Sequence, residues 1–109
     1  MELTDFVENY RAGGLDADQK HIGKRFRIRY APTLICGADA DGYPCLGGLV
    51  KNEAYGADVG FTFPKSAKAA VLKCRKGKPV VIEAEYDGIS VIDKVILSLR
   101  FKNARLVDP

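Results

Sequence analysis

The chain has no tryptophan, one methionine and a single histidine, His21. Its three cysteines, Cys36, Cys45 and Cys74, include no Cys-x-x-Cys pair. With one imidazole to add, the usual ligand spacing of a zinc site cannot be assembled, so neither a metal nor another cofactor is expected. Apolar runs are strand-sized, too short to span a bilayer as a helix, and no membrane insertion is expected. The opening MELTDFVENY is acidic and polar where an export signal needs a basic start and an apolar centre. The expected compartment is the cytoplasm, or the envelope if a leader precedes this sequence. A dense basic excess is missing too: 17 Lys and Arg against 14 Asp and Glu leave a net charge of +3. That balance alone does not mark a polyanion binder. Catalytic settings are absent as well. Ser66, Ser90 and Ser98 have no nucleophile-elbow context, His21 sits beside Lys20 and Lys24 as an exposed residue before a strand, and no Gly-rich loop precedes a helix. The expectation is a protein that is not an enzyme.

What is there is a clear change of periodicity. At 109 residues and 47% hydrophobic content the chain is sized for one domain, 1–109, around one core. Within residues 64–88, Ala67, Ala70, Val71 and Cys74 fall at helical spacing, with Lys65, Lys68, Lys73, Arg75 and Lys76 on the wet faces. Pro64 suits the first turn, Ser66 can cap, and Gly77 ends the helix. After Lys78-Pro79 the period becomes two. Val80, Ile82, Ala84 and Tyr86 point one way and Val81, Glu83, Glu85 and Asp87 the other, as in a half-buried strand.

The same rules place the other elements. Leu3, Phe6, Val7 and Tyr10 predict a helix capped by Thr4 or Asp5 and stopped at Gly13-Gly14. Phe26, Ile28 and Tyr30 alternate with Arg25, Arg27 and Arg29 in a first strand that bends at Pro32 and continues through residues 33–36. Asp39-Ala40-Asp41-Gly42 turns the chain into a second strand, 43–51, where Gly47-Gly48 marks a bulge or sharp bend. A loop at 52–57 precedes a third strand at 58–63. A loop at 87–93 precedes the last strand, in which Val95, Leu97, Leu99 and Phe101 share a face and Asn103 shifts the parity.

Helix, three strands, helix, two strands is the layout of an OB-fold. The predicted fold is mainly β with α: a five-stranded antiparallel OB-fold-like barrel with an N-terminal helix and a helix between strands three and four. Asn9-Tyr10-Arg11-Ala12, the run Ala17-Asp18-Gln19-Lys20-His21-Ile22-Gly23-Lys24 leading into a strand, the helix within 66–77 and the last strand within 95–107 carry a family likeness. Across nearly its whole length the chain resembles the tRNA-anti-like OB-fold family. His21-Ile22 stands where an aromatic is common in that family, and Ala31-Pro32 where a glycine kink is common. The resemblance implies a fold often found in bacterial envelope proteins of unassigned role, with no catalytic residues to carry over.

Three features bear on partners. Arg25, Arg27 and Arg29 form an evenly spaced row able to track phosphates, but in an OB-fold they face Glu83, Glu85 and Asp87 on the fourth strand, and cross-strand ion pairing is the expected use. Tyr43 and Tyr55 are candidate stacking rings, whereas Phe61 and Phe63 share one strand face and read as core. The loops flanking the usual ligand groove carry Asp39, Asp41, Asp87 and Asp93 against Lys94, which disfavours phosphate. Asp39-Ala40-Asp41-Gly42 also fails the EF-hand pattern, with Tyr43 and Val50 at ligand positions. The chain therefore reads as a non-catalytic module whose partner is another protein, as an inhibitor or regulator of a nucleic-acid-binding complex. Its protein-binding residues would be Asp39, Asp41, Tyr43, Glu53, Tyr55 and Asp58. The alternative is single-stranded nucleic acid on Arg25, Arg27, Arg29, Tyr43 and Tyr55. Free thiols are the default for the cysteines. A sharper possibility is a bridge, because a turn centred on Ala40 and Asp41 sets Cys36 opposite Cys45.

Overall fold

The computed structural model describes residues 2–50, 57–92 and 96–107. Helix α1, Leu3–Gln19, begins where Asp5 accepts a hydrogen bond from the Glu2 N–H at 2.7 Å. Leu3, Phe6 and Val7 are buried, as their spacing predicts. The helix does not end at Gly13-Gly14. Gly14 breaks it with φ 64°, a left-handed conformation that glycine adopts cheaply, and helical turns resume to Gln19, braced by Asn9 donating to the Ala17 carbonyl at 3.1 Å.

Six strands follow: β1 (Arg25–Tyr30), β2 (Leu34–Cys36), β3 (Cys45–Val50), β4 (Ala57–Thr62), β5 (Val80–Ile92) and β6 (Ile96–Val107). They form one sheet in the order β1-β5-β6-β4-β3-β2. The expected five-stranded, wholly antiparallel barrel is thus corrected in two ways. The predicted first strand is two strands, because Pro32 removes a ladder donor and the chain turns there. These two pieces form the opposite edges of a sheet that does not close, and β4 runs parallel to β6 while every other pair is antiparallel. A single 3-10 turn, Lys65–Ala67, and a short helix α2, Lys68–Leu72, cross from β4 to β5. The helix expected between the third and fourth strands is therefore present, though shorter than its apolar spacing implied.

The glycines of β3 serve the bend between β1 and β2. A Cβ on Gly48 would stand 2.4 Å from Thr33 Oγ1 and 2.5 Å from the Tyr30 hydroxyl, and one on Gly47 2.6 Å from the Val59 carbonyl. Both stay in continuous register with β4, so this is a corner of close approach and not a bulge. The bulges lie in β5 and β6, between Glu83 and Glu85 and between Tyr86 and Gly88, the first opposite Asn103 with φ 49°. The second lets β5 bend and continue to Ile92 where a loop was expected over 87–93.

Inward side chains meet in one core. Phe6 packs on Tyr86 and Phe101 at ring-centroid distances of 4.6 and 5.5 Å, and Phe61 stacks on Phe101 at 4.9 Å. Phe61 and Phe63 are buried, as the alternation predicts. His21 is not the exposed residue expected, since its ring lies edge-on to Phe6 and Phe26. The polar tie is Asp18, 3% exposed, whose carboxylate accepts from the Tyr86 hydroxyl and from the Ile89 N–H at 3.1 Å. Burial, reinforced by that carboxylate, drives the Tyr86 phenol far above its ordinary pKa. Cys36 and Cys45 are register partners and are joined by a disulfide, so the default of free thiols holds for Cys74 alone.

Candidate functional site

The β2–β3 hairpin builds the first wall of the site. Asp39 Oδ1 accepts the backbone N–H groups of Asp41 and Tyr43, each at 2.9 Å, and the Asp39 N–H donates to the Tyr43 carbonyl at 2.7 Å. Asx-type bonding of this kind turns a carboxylate inward to organise its own loop. The disulfide clamps the base of that loop, and Tyr43 projects from it, 40% exposed, with the Lys65 ammonium 5.3 Å from its ring centroid. That is cation–π distance.

Between this turn and β6 lies an open groove of about 460 Å³. Its floor includes Gly60 and Thr62 of β4, and Ser98, Arg100 and Lys102 of β6 close the far side. The alternation of β4 sends Val59 and Phe61 to the core and leaves Gly60 facing out, so the floor there is bare backbone. A shallower depression of about 360 Å³ shares Gly60 and Ser98 and continues the groove toward Leu34 and Leu49. Those two leucines are 55% and 75% exposed. At the corner between them Tyr30 donates to the Leu49 carbonyl at 2.9 Å, and burial, with Asp58 nearby, raises its phenol above the usual range. Asp87 also borders the groove, held by Lys102 at 3.4 Å. Lys102 bonds Glu85 at 3.5 Å as well, and these two carboxylates, Asp87 first, raise its pKa.

The arginine row lies elsewhere, on the outer face of β1. Glu83 is its hub: it pairs with Arg25 at 3.3 Å, with Arg27 at 3.4 Å and with Arg105 of β6 at 3.1 Å. Arg105 binds in fork fashion, using Nε and Nη2 on the two carboxylate oxygens. Its hydrogen bond, more than the others, holds the Glu83 carboxyl at about 2, well below the ordinary 4.5. Arg25 also donates to the carbonyls of Asn103 and Glu83. The cross-strand pairing expected from periodicity is there, but Arg29 sits opposite Val81 and makes no ion pair among the described residues.

Of the residues singled out by sequence, Asp39, Asp41 and Tyr43 come together on the groove, and Asp58 lines the adjoining depression. Arg25, Arg27 and Arg29 do not join them. Glu53, Tyr55, Asp93 and Lys94 lie outside the described residues. Gly60, Arg100 and Ser98 were missed, and Lys65, which the sequence offers as part of a basic helix face expected to lie away from the groove, stands at its edge over Tyr43. One signal was available: pairing the second and third strands in register sets Gly47 against Gly60, two positions without side chains on one face. Among the described residues no helix is long and apolar enough to cross a membrane, and no group of three or more His, Cys, Asp or Glu side chains is placed to hold a metal.

No family model matches the chain, and no curated protein matches it. One solved structure is similar, that of a "putative nucleic acid-binding lipoprotein" from Klebsiella pneumoniae. The two share 16% sequence identity and superpose with a TM-score of 0.66 over 99% of this chain and 92% of that one. The likeness is one of fold.

Proposed function

We propose that this chain is a non-catalytic OB-type module that holds single-stranded nucleic acid across the outer face of β3, β4 and β6. The observation that carries this is the groove of about 460 Å³ between Tyr43 and Arg100, floored by Gly60. Counting β1 and β2 as one strand bent at Pro32, the helix between β4 and β5 and the parallel β4–β6 pair follow the OB connection pattern. In that fold the face of the second and third strands, with the loop joining the first two, takes oligonucleotides. A bare glycine floor beside an exposed ring suits a flat base, and Arg100 and Lys65 suit its phosphates. The nucleic-acid name of the Klebsiella neighbour points the same way.

The acidic rim that favoured a protein partner is partly engaged within the protein. Asp39 is engaged by two backbone N–H groups and Asp87 by Lys102. Among the described rim carboxylates, Asp41 remains to face a ligand from the turn. The Cys36–Cys45 bridge and the lipoprotein neighbour both support an oxidising, envelope-side location.

Fluorescence anisotropy with a labelled oligothymidylate at low salt tests the proposal. Wild type should bind with strong salt dependence, and Tyr43→Ala should weaken binding about tenfold, within the ~1–3 kcal/mol of one base stack. Arg100→Gln should lower the logarithmic salt slope by ~0.7, one phosphate contact. Absence of wild-type binding at low salt would rule the function out.

A further inference from the structure

We propose that a bound strand leaves the groove over Tyr43 and continues along the segment from Lys65 to Lys76, whose lysines hold its phosphates. This rests on the nucleic-acid reading of the groove and gives the strand a direction and a second set of contacts. The junction is physical: Lys65 lies over the Tyr43 ring, and its Cε is 3.6 Å from where a side chain on Gly42 would begin. Lys68 follows against the same turn, with Cε 3.4 Å from the corresponding point on Gly37. The hairpin that walls the groove thus seats the first two lysines of the segment.

Charge gives the direction. From Lys65 to Lys78 the chain carries six Lys and Arg and no Asp or Glu. All six are exposed, and none makes an ion pair among the described residues. On the opposite side of the groove, beyond Arg100 itself, the cations are matched: Lys102 to Asp87 and Glu85, and Arg25, Arg27 and Arg105 to Glu83. A polyanion leaving over β5 would have to displace carboxylates already bonded to those cations. Over the segment from Lys65 to Lys76 it meets ammonium groups that pair with no carboxylate among the described residues, and the release of solution counterions from such groups drives phosphate binding. Flexible lysines on exposed backbone fit sequence-independent backbone contact better than base readout.

The experiment compares oligothymidylates of about 6 and about 15 nucleotides, within and near the top of the range one OB domain covers. The triple variant K68Q/K73Q/K76Q spares Lys65 and therefore the Tyr43 contact. It should leave the short oligonucleotide unchanged, weaken the long one about tenfold, and reduce the long one's salt slope by ~2, three contacts at ~0.7 each. The matching Lys→Arg triple should keep wild-type affinity for both, which reads out charge and not mere packing. Equal loss on both lengths, or no loss on either, overturns the second contact set while the groove stands. Wild type binding neither length overturns the groove and the extension together. Unchanged oligonucleotide affinity with lost binding to phosphatidylserine vesicles would instead give these lysines to a membrane surface and overturn the proposal.

Discussion

Two basic stretches of this chain look alike in sequence and differ in what surrounds them. Arg25, Arg27 and Arg29 line β1, and Lys65, Lys68, Lys73 and Lys76 line the crossing to β5. The first sits one strand away from Glu83, which three guanidiniums share, and the second has no carboxylate within its own 14 residues and, among the described residues, none in ion-pair reach. Availability to a polyanion is decided by the neighbouring strand and not by the number of cations. Arginine forks suit fixed carboxylates, whereas exposed lysines spread along a turn, a short helix and the segment after it suit a ligand whose phosphates are not fixed in place.

The comparison can be broken most severely at the joint between the regions. Replacing Cys36 and Cys45 by Ser frees the turn that carries Tyr43 and seats Lys65, and should cost ~2–3 kcal/mol in urea denaturation, the effect of opening a loop this short. Binding of both oligonucleotide lengths should fall with it. The Glu83 cluster should be untouched. If reduction of the wild type with dithiothreitol leaves stability and binding as they were, the hairpin does not depend on its bridge.

Next in size is an attempt to make the two regions equivalent. Glu83→Gln leaves Arg25, Arg27 and Arg105 without their carboxylate, so β1 should begin to bind phosphate. Low-salt affinity for the long oligonucleotide is expected to rise about tenfold with a steeper salt slope. Unchanged affinity would mean that Glu83 does not mask the row.

The same carboxyl gives a smaller, pH-dependent signal. Its pKa in the folded chain, about 2, lies below the ordinary 4.5. A depressed carboxylate adds stability that is complete above the unfolded value and is lost as pH falls toward the folded one. Wild type should therefore lose stability from about pH 4.5 down to about pH 2 more steeply than Glu83→Gln. Parallel acid limbs in the two proteins would refute the cluster's contribution. The smallest effect is expected at Arg29, the member of the row without an ion pair among the described residues, where Gln should change stability by less than ~0.5 kcal/mol.

Local periodicity made much of this legible. The inward set Ile82, Ala84 and Tyr86, the buried Phe61 and Phe63, the pairing of β1 with Glu83 and the parity shift at Asn103 all follow from spacing along one or two strands. What was missed depends on partners far along the chain. Asp18 lies in a polar stretch, and only Tyr86 and Ile89, 68 and 71 residues on, make it a buried anchor. Arg105 and Lys102 join the charged face because β6 pairs with β5 across a bulge. The parallel pairing of β4 with β6 needs the whole sheet to be assembled first. Of the site, Tyr43 and its turn were visible as an exposed ring near Gly and Asp. Gly60 was visible only through its register with Gly47, and Arg100 not at all, since it reaches the groove through the parallel pairing of β6 with β4.

The glycine pair on the outer face has an engineering consequence. A side chain added at Gly60 would meet nothing within 4 Å, while one added at its partner Gly47 would drive into the Val59 carbonyl. The depth of the groove is therefore adjustable from β4 alone. A leucine at position 60 starts from a Cβ that meets no neighbour and would fill the floor, so it is the substitution to use for plugging the binding face, with folding checked by circular dichroism.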